Sequence, residues 1–228
     1  GPAMNIVILT GAGISAESGL GTFRDADGLW ARYRIEDVAT PEAYARDPAT
    51  VHAFYTMRRQ ESAKAAPNAA HTALARLTAD PRHDTTLVTQ NVDALHEAAG
   101  SRPLHMHGAL ARACCADCAH VWEAPEVMDP TTTCPACGRA AARPDIVWFG
   151  EMPHHLDEID AALSRADLFA AVGTSGEVYP AAGFVDVATA AGARTVELNL
   201  QASARPFDDR RIGPATDVVP VWVAELLA

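Results

Sequence analysis

Lysine is almost missing from this chain: Lys64 is the only one among 228 residues, and every other basic residue is an arginine. A lysine-rich patch for a membrane surface or a nucleic acid therefore cannot be built. Positive charge is scarce altogether, with 18 Lys plus Arg against 29 Asp plus Glu and a net charge of −11. Binding to a phosphate backbone draws its free energy from cationic side chains, which excludes nucleic acid as the main partner. The plain source of the arginine bias is a GC-rich genome. Long apolar runs are missing too, none approaching the ~18 residues that a membrane span requires. Against these absences stand 49% hydrophobic and 21% charged residues, a globular balance that excludes disorder and collagen-like structure. The length allows one large domain or a domain carrying a smaller insert. Gly1-Pro2-Ala3-Met4 has the look of a protease-cleavage remnant ahead of a native Met4 and is left out of fold reasoning. Asn5 opens an apolar run at once, with no room for a signal peptide, so a soluble cytoplasmic protein is expected.

Cysteine is confined to one stretch, as Cys114, Cys115, Cys118, Cys134 and Cys137. An odd number packed this tightly points to metal rather than disulfides. Cys115-Ala116-Asp117-Cys118 and Cys134-Pro135-Ala136-Cys137 are two CxxC turns. Each places two sulfurs on one side of a knuckle, and two knuckles complete a tetrahedron around one Zn²⁺. Cys114 is left over. Four protein ligands close the site, so the zinc is expected to be structural; reduced cysteines without metal are the alternative.

Residues 5–10 form a short, uncharged, β-rich run of the kind buried on both faces of a parallel sheet. Gly11-Ala12-Gly13 follows, then a short helical stretch, an arrangement that aims backbone N–H groups at a phosphate. Similar strand-like runs lie at Thr86–Thr89, Leu168–Val172 and Thr195–Leu198. Between them are helical stretches at Ala69–Thr78, Leu156–Arg165 and Ala181–Ala191. The alternation predicts an α/β, doubly wound, Rossmann-like parallel sheet. Two segments break the rhythm: 36–65, helical and Arg-rich with Pro41 and Pro48 as punctuation, and 113–142, which holds the cysteines. They read as a small second domain, a helical insert plus a zinc ribbon, leaving 5–35, 66–112 and 143–228 to the nucleotide-binding domain. The ribbon carries Arg139 against Asp117, Glu123, Glu126 and Asp129, a poor composition for reading DNA.

Gly11-x-Gly13-x-x-Ala16 alone is a weak nucleotide signal. No acidic residue stands at a second strand end, since Glu36 and Asp37 fall in the insert, so a hydride-transferring dehydrogenase fits poorly. Thr22-Phe23-Arg24-Asp25 after the turn offers a cation for a pyrophosphate and an aromatic to cover a ring, or simply a core Phe beside a surface Arg. Gln90-Asn91-Val92-Asp93 stands where a parallel strand ends, in the crevice where α/β sheets bind ligands; Asp93 could equally be a helix cap. His105 and His107 are two residues apart and on a regular strand would share a face. A histidine can accept a proton from a hydroxyl at neutral pH, and Gly108 would let a ligand approach the backbone.

GAGISAESGLGTFRD, TQNVD, HMHG, the two CxxC pairs, VWFGE, GTSGEVYPAAG and ELNL occur in the order found in sirtuins. From Asn5 onward the chain resembles that family, and its compact bacterial members in particular. The resemblance implies an NAD-dependent protein-lysine deacylase: a Rossmann-like large domain, a small zinc-and-helix domain and a cleft between them. It implies that Gly11, Ala12, Gly13, Glu17, Thr22, Phe23, Arg24 and Trp30 wrap NAD. Gln90, Asn91, Val92 and Asp93 would hold the nicotinamide ribose and carboxamide. Gly173, Thr174 and Ser175 would serve the adenosine side, Asn199, Leu200 and Gln201 the adenine ribose, and Ala215 the adenine. His107 would be the general base, acting on the ribose hydroxyls after the acyl oxygen has displaced nicotinamide, with O-acyl-ADP-ribose as product. Acyl-lysine proteins are the implied partners, bound as an added strand between Val147, Trp148, Phe149 and Gly150 on one edge and Glu177, Val178 and Tyr179 on the other. By residue type alone, Val147-Trp148-Phe149 reads as core.

Tyr55 and Arg58 are i and i+3 on one helix and share a face. In desuccinylating sirtuins such a Tyr-x-x-Arg pair binds the distal carboxylate, and Ala39 matches the small residue that widens the pocket. The resemblance thus implies desuccinylation and demalonylation beside deacetylation; a surface Arg58 paired with Glu61 is the alternative. Leu20-Gly21-Thr22 departs from the Ile-Pro-x of many sirtuins. A monomer is expected. Two competing functions stay open: an NAD-dependent protein ADP-ribosyltransferase and a non-catalytic, NAD-responsive zinc module.

Overall fold

The computed structural model describes residues 1–21 and 32–228. Six parallel strands form the main sheet: β1 (Asn5–Thr10), β2 (Asp84–Thr89), β3 (Leu104–His105), β7 (Leu168–Val172), β8 (Arg194–Asn199) and β9 (Asp209–Ile212). Their order is β3-β2-β1-β7-β8-β9. The chain winds outward from β1 in one direction, then returns to β7 and winds in the other. The crevice between the carboxyl ends of β1 and β7 is therefore the switch point at which such sheets take ligands. Strands β1 and β7 are uncharged because they are covered on both faces. Ile6 and Ile8 pack with Leu74, Leu77 and Trp222 from α5 (Ala69–Ala79) and α9 (Ala215–Leu227). Val7 and Leu9 pack with Ile159, Leu163 and Phe184 from α7 (Leu156–Ser164) and α8 (Phe184–Ala190). The expected helix at Ala181–Ala191 is instead a 3₁₀ turn, Ala181–Gly183, running into α8.

The 36–65 segment is helical as expected, in three pieces: α2 (Ile35–Val38), α3 (Pro41–Arg46) and α4 (Pro48–Ala63). Pro41 and Pro48 each stand at the first helical position, where a missing N–H costs nothing. Thr40 and Asp47 accept from the N–H of Ala43 (3.0 Å) and Thr50 (3.3 Å), so each proline follows a capping residue. These helices have their own core, in which Val38, Val51, Phe54 and Tyr55 meet Leu110, Ile146 and Trp148. A second, antiparallel sheet runs β5-β4-β6, made of β4 (Gly108–Cys115), β5 (Val121–Glu123) and β6 (Ala142–Ile146). Its core is small, Ala113, Met128 and Ala142. Gly108 serves this sheet rather than a ligand. Its φ is +85°, and a Cβ there would lie 2.0 Å from the Asp145 carbonyl oxygen, so only glycine permits the approach of β4 to β6.

Candidate active site

The loops at the switch point are packed backbone to backbone. Gly11 and Gly13 donate their N–H groups to Val172 O (2.9 Å) and Gly173 O (2.8 Å). Their own N–H donors are thus spent on the end of β7 and on Gly173 rather than pointing into the crevice. Among the described residues nothing takes the Ala12 N–H. Thr22, Phe23, Arg24 and Trp30 lie outside the described residues. Glu17 is engaged elsewhere: its carboxylate accepts from Thr216 N (3.1 Å) and from the Thr216 hydroxyl. It thereby caps the first turn of α9, beside Ala215.

Residues 90–93 are held from several directions. Asn91 donates its amide to Gly11 O (2.9 Å), and its backbone N–H donates to Thr89 Oγ1 (3.0 Å). Gln90 Oε1 accepts from Thr174 Oγ1 (2.9 Å), and Asn199 Nδ2 donates to Thr174 O (2.8 Å). The carboxyl ends of β2, β7 and β8 are thus tied together through side chains. Asp93 takes Ser15 Oγ (2.9 Å) on one oxygen and Leu95 N (3.0 Å) on the other. Its cap-like bond at Leu95 is present, but the second bond carries it back to the glycine loop. Val92 packs against the core of the helical insert.

The two histidines share a side, as the spacing suggested, with Met106 between them buried in the opposite direction. A carbonyl oxygen only accepts, so each ring must carry its proton on Nδ1: His105 donates to Asn91 O (2.8 Å) and His107 to Gln90 O (3.2 Å). Beyond that they differ. His105 Nε2 is 2.7 Å from Glu97 Oε2; burial opposes its charge, but Glu97, Asn91 O and Asp93 together outweigh burial and the pKa is raised. Among the described residues His107 has no such carboxylate, and burial lowers its pKa. The two rings are therefore pushed in opposite directions: His105 toward holding a second proton, His107 toward an unprotonated Nε2 able to take one.

Beneath the site lies a buried polar layer that sequence reasoning missed. Thr10 Oγ1 donates to Thr89 Oγ1 (2.8 Å) and stands 2.9 Å from His96 Nε2. His96 packs against His71 with ring centroids 5.2 Å apart, and burial drives its pKa down to about 3. The one trace in the sequence is a threonine closing each of two apolar runs, Thr10 and Thr89. Glu97 left no trace at all, being linked to His105 only by the fold.

Across from this layer sits Tyr55, 1% exposed, its hydroxyl accepting from Trp148 Nε1 (3.1 Å). The guanidinium carbon of Arg58 lies 5.9 Å from the Tyr55 ring centre, and burial lowers the Arg58 pKa against the pull of Tyr55 and Asp93. Glu61 pairs with Lys64 at 3.5 Å. Ala39 is buried, and its carbonyl accepts from Phe149 N (3.1 Å). Trp148 is core, as its residue type suggested, while Phe149 is 47% exposed and Gly150 is exposed beside it. Val178, Tyr179, Glu177 and Ser175 are exposed on the facing loop, as are Leu200 and Gln201. The four sulfurs of Cys115, Cys118, Cys134 and Cys137 lie within 4.8 Å of one another. Two pairs are 3.7 Å apart, close to the roughly 3.8 Å edge of a tetrahedron with ~2.3 Å Zn–S bonds. Backbone N–H groups of Asp117, Cys118 and Ala136 point at the sulfurs of Cys115 and Cys134. The donor set fits one structural zinc ion. Cys114 turns away, its sulfur 4.0 Å from Pro144 O.

The Sir2 family model matches residues 11–180. The chain belongs to the Sir2 family. An NAD-dependent protein deacylase of Caulobacter vibrioides is 54% identical to it over 232 residues, 99% of this chain and 98% of that protein. A solved Sir2 homologue–NAD complex superposes with a TM-score of 0.89 at 40% identity, covering 97% of this chain and 89% of that one. A Sir2 homologue mutant in complex with 2′-O-acetyl-ADP-ribose gives 0.88 at 40% identity, covering 97% and 91%. The Sir2 architecture, a parallel sheet with a separate antiparallel sheet and a cysteine cluster, is the one described above.

Proposed function

We propose that this Sir2 protein is an NAD-dependent protein-lysine deacylase that removes succinyl and malonyl groups as well as acetyl groups. The observation that carries the first part is His107: a neutral imidazole with Nδ1–H fixed on Gln90 O and Nε2 left to accept a proton. It stands beside the switch-point crevice in a chain whose relatives carry that activity in their names. NAD as co-substrate supplies a ribose that takes the acyl oxygen as nicotinamide departs. His107 then removes a proton from a ribose hydroxyl, and Gln90, Asn91 and Asp93 orient the sugar. On a division into 5–35, 66–112 and 143–228 against 36–65 and 113–142, His107 belongs to the nucleotide-binding domain and the Tyr55–Arg58 pair to the helical insert. The acyl range is supported by that pair. Tyr55, kept protonated by burial, and the Arg58 cation together offer a carboxylate charge-assisted bonds about twice as strong as neutral ones. No helix among the described residues is long and apolar enough to cross a membrane; a cytoplasmic monomer belongs to the same reading.

Acetyl-, succinyl- and malonyl-lysine peptides supplied with NAD should each release nicotinamide and yield O-acyl-ADP-ribose in equal amounts. ADP-ribose attached to protein would overturn the deacylase reading. Arg58→Met should reduce desuccinylation at least tenfold more than deacetylation, and an equal loss of both would overturn the acyl-range reading.

A further inference from the structure

We propose that Trp148 is a positioning residue for acyl selectivity, its indole N–H turning the Tyr55 phenol proton toward the carboxylate at the end of the acyl chain. The inference rests on the acyl-range reading above. An indole N–H can only donate, so in the 3.1 Å bond from Trp148 Nε1 the phenol oxygen of Tyr55 is the acceptor. The phenol's own proton must then point elsewhere, and no acceptor among the described residues takes it. A buried hydroxyl normally finds a partner; here the partner is left to the ligand. The Arg58 guanidinium on the same helix face supplies the positive charge that makes this ligand an anion. Burial also raises the pKa of Tyr55, keeping the phenol a donor.

The indole is itself fixed. Arg143 lies over its ring with the guanidinium carbon 3.7 Å from the ring centre. Two nitrogens of Arg143 donate to Glu151 at 2.8 and 3.0 Å, and Glu151 Oε1 also accepts from Trp148 N at 3.0 Å. A stacked, bidentate arginine cannot rotate without breaking both contacts. Arg143 belongs to β6 and is paired with Cys114 of β4, one residue before the pairing of the zinc ligand Cys115 with Ala142. The ribbon's strand thus reaches the acyl pocket through a single ring.

Trp148→Phe keeps a ring beneath Arg143 and removes the donor, together with part of the buried indole volume. The ratio of kcat/KM for succinyl-lysine over acetyl-lysine peptide should fall about tenfold, through KM for the succinyl substrate. A purely structural role would depress both activities alike, and an unchanged ratio in a folded Trp148→Phe protein overturns the proposal. Should that variant fail to fold, Arg143→Lys keeps the charge but loses the planar stack, and should lower the ratio about threefold; an unchanged ratio there overturns the proposal too. Arg58→Met, assayed in parallel, separates the two readings. If it leaves the ratio unchanged, the acyl-range reading falls and this one with it. If it lowers the ratio while Trp148→Phe does not, only the role of Trp148 falls.

Discussion

His105 and His107 show how two identical side chains two residues apart are shifted in opposite directions. Both fix Nδ1–H on the carbonyls of residues 90–91, but His105 alone of the two also meets the Glu97 carboxylate. The sign of the His107 shift sets a pH dependence. A base must be unprotonated, and burial lowers its pKa, so the acid limb of kcat/KM should lie below the ~6.5 of an ordinary imidazole. His107→Ala should lower kcat by ~10²–10⁴, the usual worth of general-base help, while the protein stays folded. A pH–rate profile of wild type and variant checks both; a limb above pH ~7, or full activity in the alanine variant, contradicts the assignment. The pair of histidines was visible in the sequence, but their division of labour was not, because Glu97 reaches His105 only through the fold.

At the scale of elements, the tightest fit is loop against loop at the ends of β1 and β7. Gly173 has a φ of +64°, and a Cβ on it would meet Ile14 N at 2.5 Å. Gly173→Ala should therefore cost both the left-handed backbone, about 1–2 kcal/mol, and a displacement of the glycine loop. A melting temperature lower by roughly 4–8 °C is expected for a loss of about 2 kcal/mol, together with weakened NAD binding. Gly192 is the comparison: its φ is +91° with nothing within 4 Å of an added Cβ. Gly192→Ala should show the smaller, purely conformational loss and bind NAD as before. Calorimetry and NAD titration of the two variants decide, and equal effects would contradict the loop-packing account. Strands β1 and β7 and the proline-started helices were legible, since burial on both faces and first-turn prolines leave local marks. Strand β9 was not: Asp209-Arg210-Arg211-Ile212 carries charge, tolerable only because it is the sheet's edge.

For the whole molecule, stability is divided unequally. The parallel sheet has a large core on each face, whereas the ribbon buries little more than Ala113, Met128 and Ala142. Zinc must supply what that small core cannot. Chelation, or Cys134→Ser, should unfold the ribbon and abolish deacylation while the parallel sheet persists, giving two separate transitions by circular dichroism. Cys114→Ser should keep its zinc and its activity, its sulfur facing Pro144 O instead of the cluster. Equal zinc loss from both variants would contradict the assigned ligand set.

Spacing in the chain determined which cysteines meet, where the central strands run and which polar residues stand at their carboxyl ends, because each depends on neighbours within a few positions. Tertiary structure alone decided which histidine has its pKa raised and which lowered, that Gly11 and Gly13 spend their N–H groups on β7, that Gly108 serves strand pairing and that Trp148 reaches Tyr55. Those outcomes depend on partners separated by many residues, such as Trp148 and Tyr55 or Gly13 and Gly173. A hydrogen bond over such a separation exists only once the layers have packed, so no local pattern records it.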